Sequence, residues 1–270
     1  MIKSENCRIN FKDEIMYITF PIFEKAEGIK HCFSTRVGGV SRGRYSEMNL
    51  SYSNGDETAA VDENFKRICS CIDVSPRSVV KSHQTHTVNI VDVTERGQSI
   101  PEGTDGLITN VGGITLCSSY ADCVPLLFYD QQKKVIASSH SGWRGTAGEI
   151  GRLTVEKMQR DYGCDPAQIL AVVGPAICKD CYEVDETVIS ALKKIQYLDL
   201  SAAATPHGEG HYLLDLKEIC KQELVFAGVK AGNILVSDIC TCCNSQFLHS
   251  HRATKGERGN LCAFIALSEN

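Results

Sequence analysis

The sequence ITLCSSYADCVPLLFYDQQKKVIASSHSGWRG spans residues 114–145 and contains three apolar runs separated by short polar segments. The runs over 114–120, 124–129 and 135–139 are rich in β-branched and aliphatic residues, which is typical of strands. Similar runs precede this stretch at 16–20, 29–33, 79–82 and 88–93. The first half of the chain is therefore predicted to consist mainly of strands.

After Trp143 the apolar residues recur at intervals of three to five, which predicts a helix over 146–162. A second helix is predicted to begin after Asp215, because Asp215 followed by Glu218 resembles a capping box, and to end near Gly228. Further strands are predicted at 169–173, 234–236 and 261–267. The pattern therefore favours an α+β fold with more strand than helix.

A long segment, VGGVSRGRYSEMNLSYSNGD at 37–56, is rich in Gly, Ser and Asn and is predicted to be an ordered loop. Loops of this length within a compact domain are often functional. No internal repeat or low-complexity segment interrupts the chain, and residues 1–270 are predicted to form a single domain.

The composition excludes several classes of protein. The 270 residues are 43% hydrophobic and 23% charged, as in ordinary globular proteins. A formal net charge of -5 makes nucleic acid an unfavourable partner. The chain contains no apolar run long enough for a signal peptide or a membrane span, so we expect a cytoplasmic protein that does not bind a membrane. In that reducing compartment the 14 cysteines are expected to be thiols or metal ligands.

Three residues at the ends of predicted strands form a candidate metal site: His86, Cys123 and His140. Two imidazoles and one thiolate suit zinc, and three protein ligands leave a fourth position open, as in catalytic zinc sites. Each residue also has a structural interpretation, as a surface histidine, a small buried thiol or a hydrogen-bonded core imidazole. Their wide separation in the sequence does not decide between these interpretations.

Other histidines and cysteines are candidates for a second metal site. His83 lies three residues before His86, but in a strand the two would point to opposite faces. Cys178 and Cys181 form a C-x-x-C pair, and a second group contains Cys240, Cys242 and Cys243, so a structural zinc site is conceivable. The 58 residues between the groups exceed the usual spacing of such sites. His249 and His251 form the one H-x-H of the chain, whereas a multicopper oxidase needs several histidine pairs.

Arginines supply candidate anion ligands. Arg36 lies beside the long loop, and Arg252 and Arg258 lie near the C-terminus. Arg144 follows His140 in a Gly-Trp-Arg-Gly turn that leads into a predicted helix, where backbone N–H groups favour an anion. Solvated surface positions are the alternative interpretation.

Six motifs in order resemble the bacterial YfiH/YlmD-type laccase-domain family, long named polyphenol oxidases. They are FSTRVGGVSRGRYSEMNL (33–50), QTH (84–86), ADCVPLLFYD (121–130), HSGWRG (140–145), VGPAI with CYEV (173–184) and HRATKGERGNLCAFIAL (251–267). The resemblance implies that His86, Cys123 and His140 bind one zinc, and that the fold is a layered α/β/β/α arrangement of mixed sheets. His83, His249 and the extra cysteine of CTCC at 240–243 depart from the common family pattern.

The resemblance also implies an activity, the phosphorolysis of adenosine, inosine and S-methyl-5′-thioadenosine to a free base and ribose 1-phosphate, together with deamination of adenosine. The expected partners are thus purine nucleosides and phosphate. Residue type and motif position give candidate roles: Arg36 and Asp122 in catalysis, and Asn49, Arg144, Arg252 and Arg258 in substrate binding. Asp122 is the carboxylate nearest the zinc ligands in sequence.

Three other functions remain open at this point. They are a copper-dependent polyphenol oxidase, a zinc-binding adaptor without catalysis that is associated with the cell envelope or division, and a cysteine hydrolase with Cys123 as nucleophile and His140 as base. The oxidase predicts two or more coppers per chain in place of zinc, and the hydrolase predicts activation by a chelator.

Overall fold

A computed structural model describes residues 2–268. Its strands are β1 (Arg8–Lys12), β2 (Ile15–Thr19), β3 (Ile29–Ser34), β4 (Val79–Lys81), β5 (Asn89–Asp92), β6 (Thr104–Thr109), β7 (Thr115–Tyr120), β8 (Val124–Asp130), β9 (Val135–Ser141), β10 (Leu170–Val173), β11 (Glu183–Asp185), β12 (Ala204–Pro206), β13 (His211–Leu214), β14 (Ile234–Val236) and β15 (Leu261–Leu267). Its α-helices are α1 (Pro21–Glu24), α2 (Thr58–Cys71), α3 (Trp143–Ala147), α4 (Ile150–Tyr162), α5 (Glu186–Leu192), α6 (Leu200–Ala203), α7 (Leu216–Phe226) and α8 (His251–Thr254).

Two six-stranded sheets contain most of the strands. The first has the order β1-β2-β3-β15-β7-β4 and the second the order β14-β10-β8-β9-β6-β5. Most neighbouring strands are antiparallel, but β4 with β7, β5 with β6, and β10 with β14 pair in parallel. Both sheets are therefore mixed, as expected, and a third sheet of three short strands has the order β11-β13-β12.

The two large sheets pack face to face, and helices cover their outer faces. Along β8, Leu127 and Tyr129 face the core between the sheets, whereas Leu126 and Phe128 face the core beneath α4 and α7. Phe264 of β15 packs with residues of α2 on the opposite side of the molecule. This alternation follows from the two-residue period of a strand, and it confirms the α/β/β/α layering.

Most predicted elements agree with the structure to within one or two residues. Asp215 is confirmed as the N-cap of α7, since its carboxylate accepts hydrogen bonds from the backbone N–H of Lys217 and Glu218. The reciprocal bond of a capping box does not form, because the Asp215 N–H donates to the carbonyl of Ala203. The helix predicted over 146–162 is wrong as one continuous element. It divides into α3 and α4 at Glu149, whose φ of 61° does not fit a right-handed helix.

Several elements were not predicted from the sequence. Strand β6 is fully buried, but it begins with the polar and small residues Thr104, Asp105 and Gly106, so it does not show the apolar run of a buried strand. Helix α2 was also not predicted, although Val61, Phe65 and Ile68 recur at helical spacing on its buried face. In the described residues no helix is both long enough and apolar enough to cross a bilayer.

Candidate active site

The three predicted metal ligands meet at one edge of the second sheet. His86 lies in the loop between β4 and β5, Cys123 immediately precedes β8, and His140 is in β9. Because β8 pairs with β9, with Val124 opposite Ser141, Cys123 lies beside the end of β9. The donor atoms of the three side chains all lie within 4.8 Å of one another, and His86 Nε2 is 4.0 Å from Cys123 Sγ. Pairing of distant strands thus assembles the cluster.

A buried carboxylate that sequence reasoning did not identify organises this cluster. Asp105 of β6 accepts a 2.7 Å hydrogen bond from His140 Nδ1 and a 3.1 Å bond from the His86 backbone N–H on the same oxygen. Its other oxygen accepts bonds from the backbone N–H groups of Thr85 and Thr87, at 3.0 and 2.8 Å. These bonds stabilise His86 in a left-handed conformation, with φ of 66°. A carboxylate within a buried strand is the signal that could have identified Asp105.

The hydrogen bond to Asp105 also fixes the proton on His140. Burial opposes ionisation of Asp105, but the hydrogen bonds from His140, Thr87 and Thr85 lower its pKa to about 2. An ionised carboxylate only accepts hydrogen bonds, so a neutral His140 carries its proton on Nδ1, which leaves the Nε2 lone pair to bind a metal.

The electrostatic surroundings of Cys123 and His140 favour a thiolate, the form of cysteine that binds a cation. Burial raises the pKa of the Cys123 thiol, but the neighbouring His140 and His86 lower it overall to about 6. Burial likewise disfavours charge on His140, whereas the attraction of Cys123 and the bond to Asp105 raise its pKa to about 9. The site therefore stabilises Cys123 as a thiolate, the form that ligates zinc, and His140 would give up its Nε2 proton when the metal binds.

The space around the ligands fits a bound metal. A Cβ atom at Gly142 would lie 2.7 Å from His86 Cδ2 and 3.0 Å from Cys123 Sγ, so the third residue of HSGWRG has to be glycine for the ligands to approach. Two imidazoles and a thiolate are borderline-soft donors that suit zinc. The residues present thus fit the ion that the sequence predicted.

A cavity of about 220 Å³ opens beside the three ligands. Lys81, Arg258 and Asn260 line it together with the ligands, and no aspartate or glutamate does so in the described part of the chain. Burial lowers the pKa of Arg258, against the attraction of Asp122 and Cys123, but a guanidinium remains charged at neutral pH. Its buried Nε has no hydrogen-bond partner among residues 2–268. Lys81 and Arg258 therefore give the cavity a positive charge, and the buried Arg258 Nε is a donor without a partner in the described residues.

The other candidate arginines lie outside the residues that line this cavity. Arg252 donates hydrogen bonds to the backbone carbonyls of Cys181 and Glu183, both at 3.0 Å. Arg144 is exposed and stacks over the Trp143 ring at 4.2 Å. The substrate-binding role of these two residues stays a prediction.

Asp122 lies in a tight turn before Cys123, with φ of 85°, and not within a strand. Its carboxylate accepts a 2.6 Å bond from Thr241 Oγ1 and a 2.7 Å bond from the Arg252 backbone N–H. Both oxygens therefore hold neighbouring segments in place. The predicted catalytic role of Asp122 remains untested.

Arg36 and Asn49 organise the long loop over 37–56. Arg36 donates side-chain bonds to the carbonyls of Ser46 and Ser245, at 2.6 and 3.0 Å. The fully buried Asn49 amide donates to Asp56 and accepts from the backbone N–H of Asn260, both at 2.9 Å. Both side chains are occupied by protein contacts, and their predicted roles toward substrate also remain predictions.

The additional histidines do not join the metal cluster. His83 lies in a loop and not in a strand, so the argument from opposite faces was wrong, and it lines the same cavity as His86. Burial, together with the charges of Arg36 and Arg258, lowers the pKa of His249 to about 3. Within residues 2–268, two groups of side chains could hold a metal, and only the site of His86 contains histidine. This argues against a multicopper centre.

Comparison with known proteins places the chain in a family. Residues 30–268 match the model of a family described as multi-copper polyphenol oxidoreductase laccase. The chain belongs to this family. It is 34% identical over 245 residues to the purine nucleoside phosphorylase YlmD of Bacillus subtilis, which covers 88% of each chain. It is 35% identical over 240 residues to the adenosine deaminase RL5 of an unknown prokaryotic organism, covering 85% of this chain and 90% of that protein.

The fold agrees with these relationships. The crystal structure of the Bacillus licheniformis protein YfiH superimposes with a TM-score of 0.91 at 32% identity, covering 98% of this chain and all of that one. YlmD from Geobacillus stearothermophilus gives a TM-score of 0.90 at 31% identity, covering 97% and 99% of the two chains. The names of the relatives support an enzyme, and the similarity to YfiH and YlmD confirms the resemblance found in the sequence.

Proposed function

We propose that the protein is a zinc-dependent purine nucleoside phosphorylase that also deaminates adenosine. Its substrates would be adenosine, inosine or S-methyl-5′-thioadenosine together with phosphate. The observation that carries this proposal is a group of three side chains that could hold a metal ion, beside a cavity lined by Lys81 and Arg258. The names of the two relatives, a phosphorylase and a deaminase, agree with it.

In phosphorolysis a phosphate oxygen bonds to C1′ of the ribose while the bond from C1′ to the purine breaks and the base leaves with a proton. Phosphate must be bound close to the ribose, which becomes positively charged in the transition state. The protein must therefore bind this anion at a site where no carboxylate lies beside the phosphate. Arg258 and Lys81 line a cavity that has this property. We assign Arg258 to phosphate, because its side chain lines the cavity and its planar guanidinium suits an oxyanion.

Deamination replaces the amino group at C6 of adenosine with a water-derived oxygen and releases ammonia. His86, Cys123 and His140 would hold the zinc, and Asp105 would keep His140 in the tautomer that binds metal. When bound, zinc supplies a Lewis acid at the edge of the cavity. The role of Asp105 is thus to orient a ligand and not to contact substrate.

Product analysis by mass spectrometry tests this proposal. Purified protein is incubated with adenosine, with and without phosphate. Adenine and ribose 1-phosphate are expected only with phosphate, and inosine in both conditions. Both activities should disappear in the variant His140→Ala, which loses a zinc ligand. If neither product forms with any of the three nucleosides, the proposal is wrong.

The role of Arg258 is tested by Arg258→Met. A charge-assisted hydrogen bond contributes about 1.5–3 kcal/mol, so KM for phosphate should rise about 10- to 100-fold while deamination persists. Arg44→Met is the matched control, because Arg44 is an exposed arginine that pairs with Glu257. An unchanged KM for phosphate in Arg258→Met would refute the assignment.

Experiments on the same purified protein distinguish the proposed function from the three alternative functions. Removing the metal with a chelator should abolish product formation, whereas a hydrolase that uses Cys123 as nucleophile would be activated. Zinc in place of copper, with no oxidation of phenols, would exclude the oxidase. Zinc without turnover of any nucleoside would favour the adaptor.

A further inference from the structure

Four cysteines outside the active site converge on one point. Cys178 and Cys181 bound a short turn after β10, and Cys240 and Cys243 belong to the turn after β14. The pairing of β10 with β14 continues beyond both strands as a parallel bridge between Ala176 and Cys240. This pairing brings two C-x-x-C segments side by side, although 58 residues separate them in the sequence.

The sulfur atoms have the separations of a metal site. The Sγ atom of Cys243 lies 3.4 Å from that of Cys181 and 3.9 Å from that of Cys178. All four sulfur atoms lie within 4.8 Å of one another. Tetrahedral zinc with bonds of about 2.3 Å places its sulfur ligands about 3.8 Å apart, whereas a disulfide needs about 2.05 Å. The four thiols are free, so their spacing matches ligation and not a cross-link.

The backbone around Cys240 is arranged to stabilise a thiolate. The N–H groups of Cys178 and Cys243 point at Cys240 Sγ, at 3.2 and 3.4 Å. Such bonds favour the charged form of a sulfur. Four thiolates at these distances would repel one another strongly unless a cation lay between them. Cys240 is buried and Cys243 is exposed, so the cluster is anchored in the fold and still open to an entering ion.

We propose that Cys178, Cys181, Cys240 and Cys243 bind one zinc ion in a closed, structural site. Four protein ligands leave no open position, which distinguishes this site from that of His86, Cys123 and His140. Thiolates select a soft or borderline metal over magnesium or calcium, and a tetrahedral group of four sulfurs suits zinc.

The zinc holds together segments that form one side of the active site. Arg252 donates to the carbonyl of Cys181, and the Arg252 backbone N–H donates to Asp122, next to Cys123. Thr241, adjacent to Cys240, donates to the same Asp122 carboxylate. Loss of this ion is therefore expected to loosen the turn that carries Cys123 while leaving the three ligands of the other site chemically intact.

Zinc content measured by mass spectrometry tests the proposal on purified, reduced protein. The double variant Cys181→Ser/Cys243→Ser is expected to contain one zinc per chain fewer than the wild type. Cys242→Ser is the matched control, because Cys242 lies in the same turn but outside the cluster, and its zinc content should not change. Equal zinc in the double variant and the wild type would overturn the proposal. The comparison holds whether or not the protein is a phosphorylase, since it counts metal and not product.

Cobalt substitution gives a second measurement that does not depend on folding of the double variant. In His140→Ala, where the other site is disabled, one cobalt per chain should bind and show the intense visible bands and thiolate charge-transfer bands of tetrahedral four-sulfur coordination. A weak spectrum typical of octahedral cobalt, iron in the purified protein, or a mass that shows a disulfide among these cysteines would each refute a zinc site.

Discussion

Replacing Asp105 with asparagine tests how the second sheet controls the metal site. One Asp105 oxygen accepts bonds from His140 Nδ1 and the His86 N–H, and the other accepts bonds from the N–H groups of Thr85 and Thr87. Asparagine keeps the shape of the side chain but has one oxygen and one NH₂ group. It therefore cannot accept hydrogen bonds on both sides.

Either orientation of the asparagine is unfavourable. With its oxygen toward His140, the N–H groups of Thr85 and Thr87 lose their acceptor, at about 1–3 kcal/mol for each buried donor. Since this loop is partly exposed, the lower value applies, and we expect the free energy of unfolding to fall by about 2 kcal/mol. With the NH₂ group toward His140, the imidazole proton must move to Nε2, which then cannot bind zinc.

Zinc affinity should accordingly fall about 10- to 100-fold, as is typical when a group that orients a metal ligand is changed. Competition with a chromophoric chelator measures this affinity, and urea unfolding measures the stability. Asp130→Asn is the matched control, because buried Asp130 accepts bonds from the N–H groups of Gln132 and Lys133 on one oxygen and contacts no zinc ligand. If Asp105→Asn and Asp130→Asn bind zinc equally tightly, the orienting role of Asp105 is refuted.

Three further substitutions follow from the packing and the pKa values. Gly142→Ala should lose zinc, because the added Cβ would lie 2.7 Å from His86 Cδ2. Gly232→Ala is the control and should keep zinc, because no atom lies within 4 Å of its added Cβ. Metal analysis of both variants tests this, and full zinc content in Gly142→Ala would contradict the geometry. Burial lowers the pKa of His31 to about 4, so the unfolded chain takes up a proton that the folded chain resists, and the free energy of unfolding should fall as the pH drops from about 6.5 to about 4, by up to about 3 kcal/mol. His31→Gln should flatten this fall in urea titrations, and an unchanged slope would exclude His31 as its source. Burial raises the pKa of Glu223 well above its usual value, so the protonated side chain stabilises the folded state at low pH and this stabilisation is lost as the pH rises. Glu223→Gln should therefore raise the melting temperature at pH 8 but not at pH 4. An equal rise at both pH values would mean that packing, and not ionisation, causes the effect.

Local chemistry decided much of what the sequence could predict. Strand β8 is an almost continuous apolar run because helices and a second sheet cover both of its faces, so its pattern is visible without tertiary information. The cap at Asp215 depends only on residues of the same turn. The metal ligands could be proposed because imidazole and thiolate have a distinctive chemistry, and the family motifs supported the same three residues.

The sequence left other features open because they depend on pairing between distant segments. Asp105 lies in a strand that its polar residues conceal, and its role follows only from the position of β6 beside β9. The 58 residues between the two cysteine groups argued against a four-cysteine site, but the pairing of β10 with β14 brings the two groups into contact. Likewise, only the folded chain shows that Arg258 lines the cavity. Sequence determines which groups are available and which elements form locally, whereas strand order and register decide which of these groups meet, because hydrogen bonding between strands is indifferent to their separation along the chain.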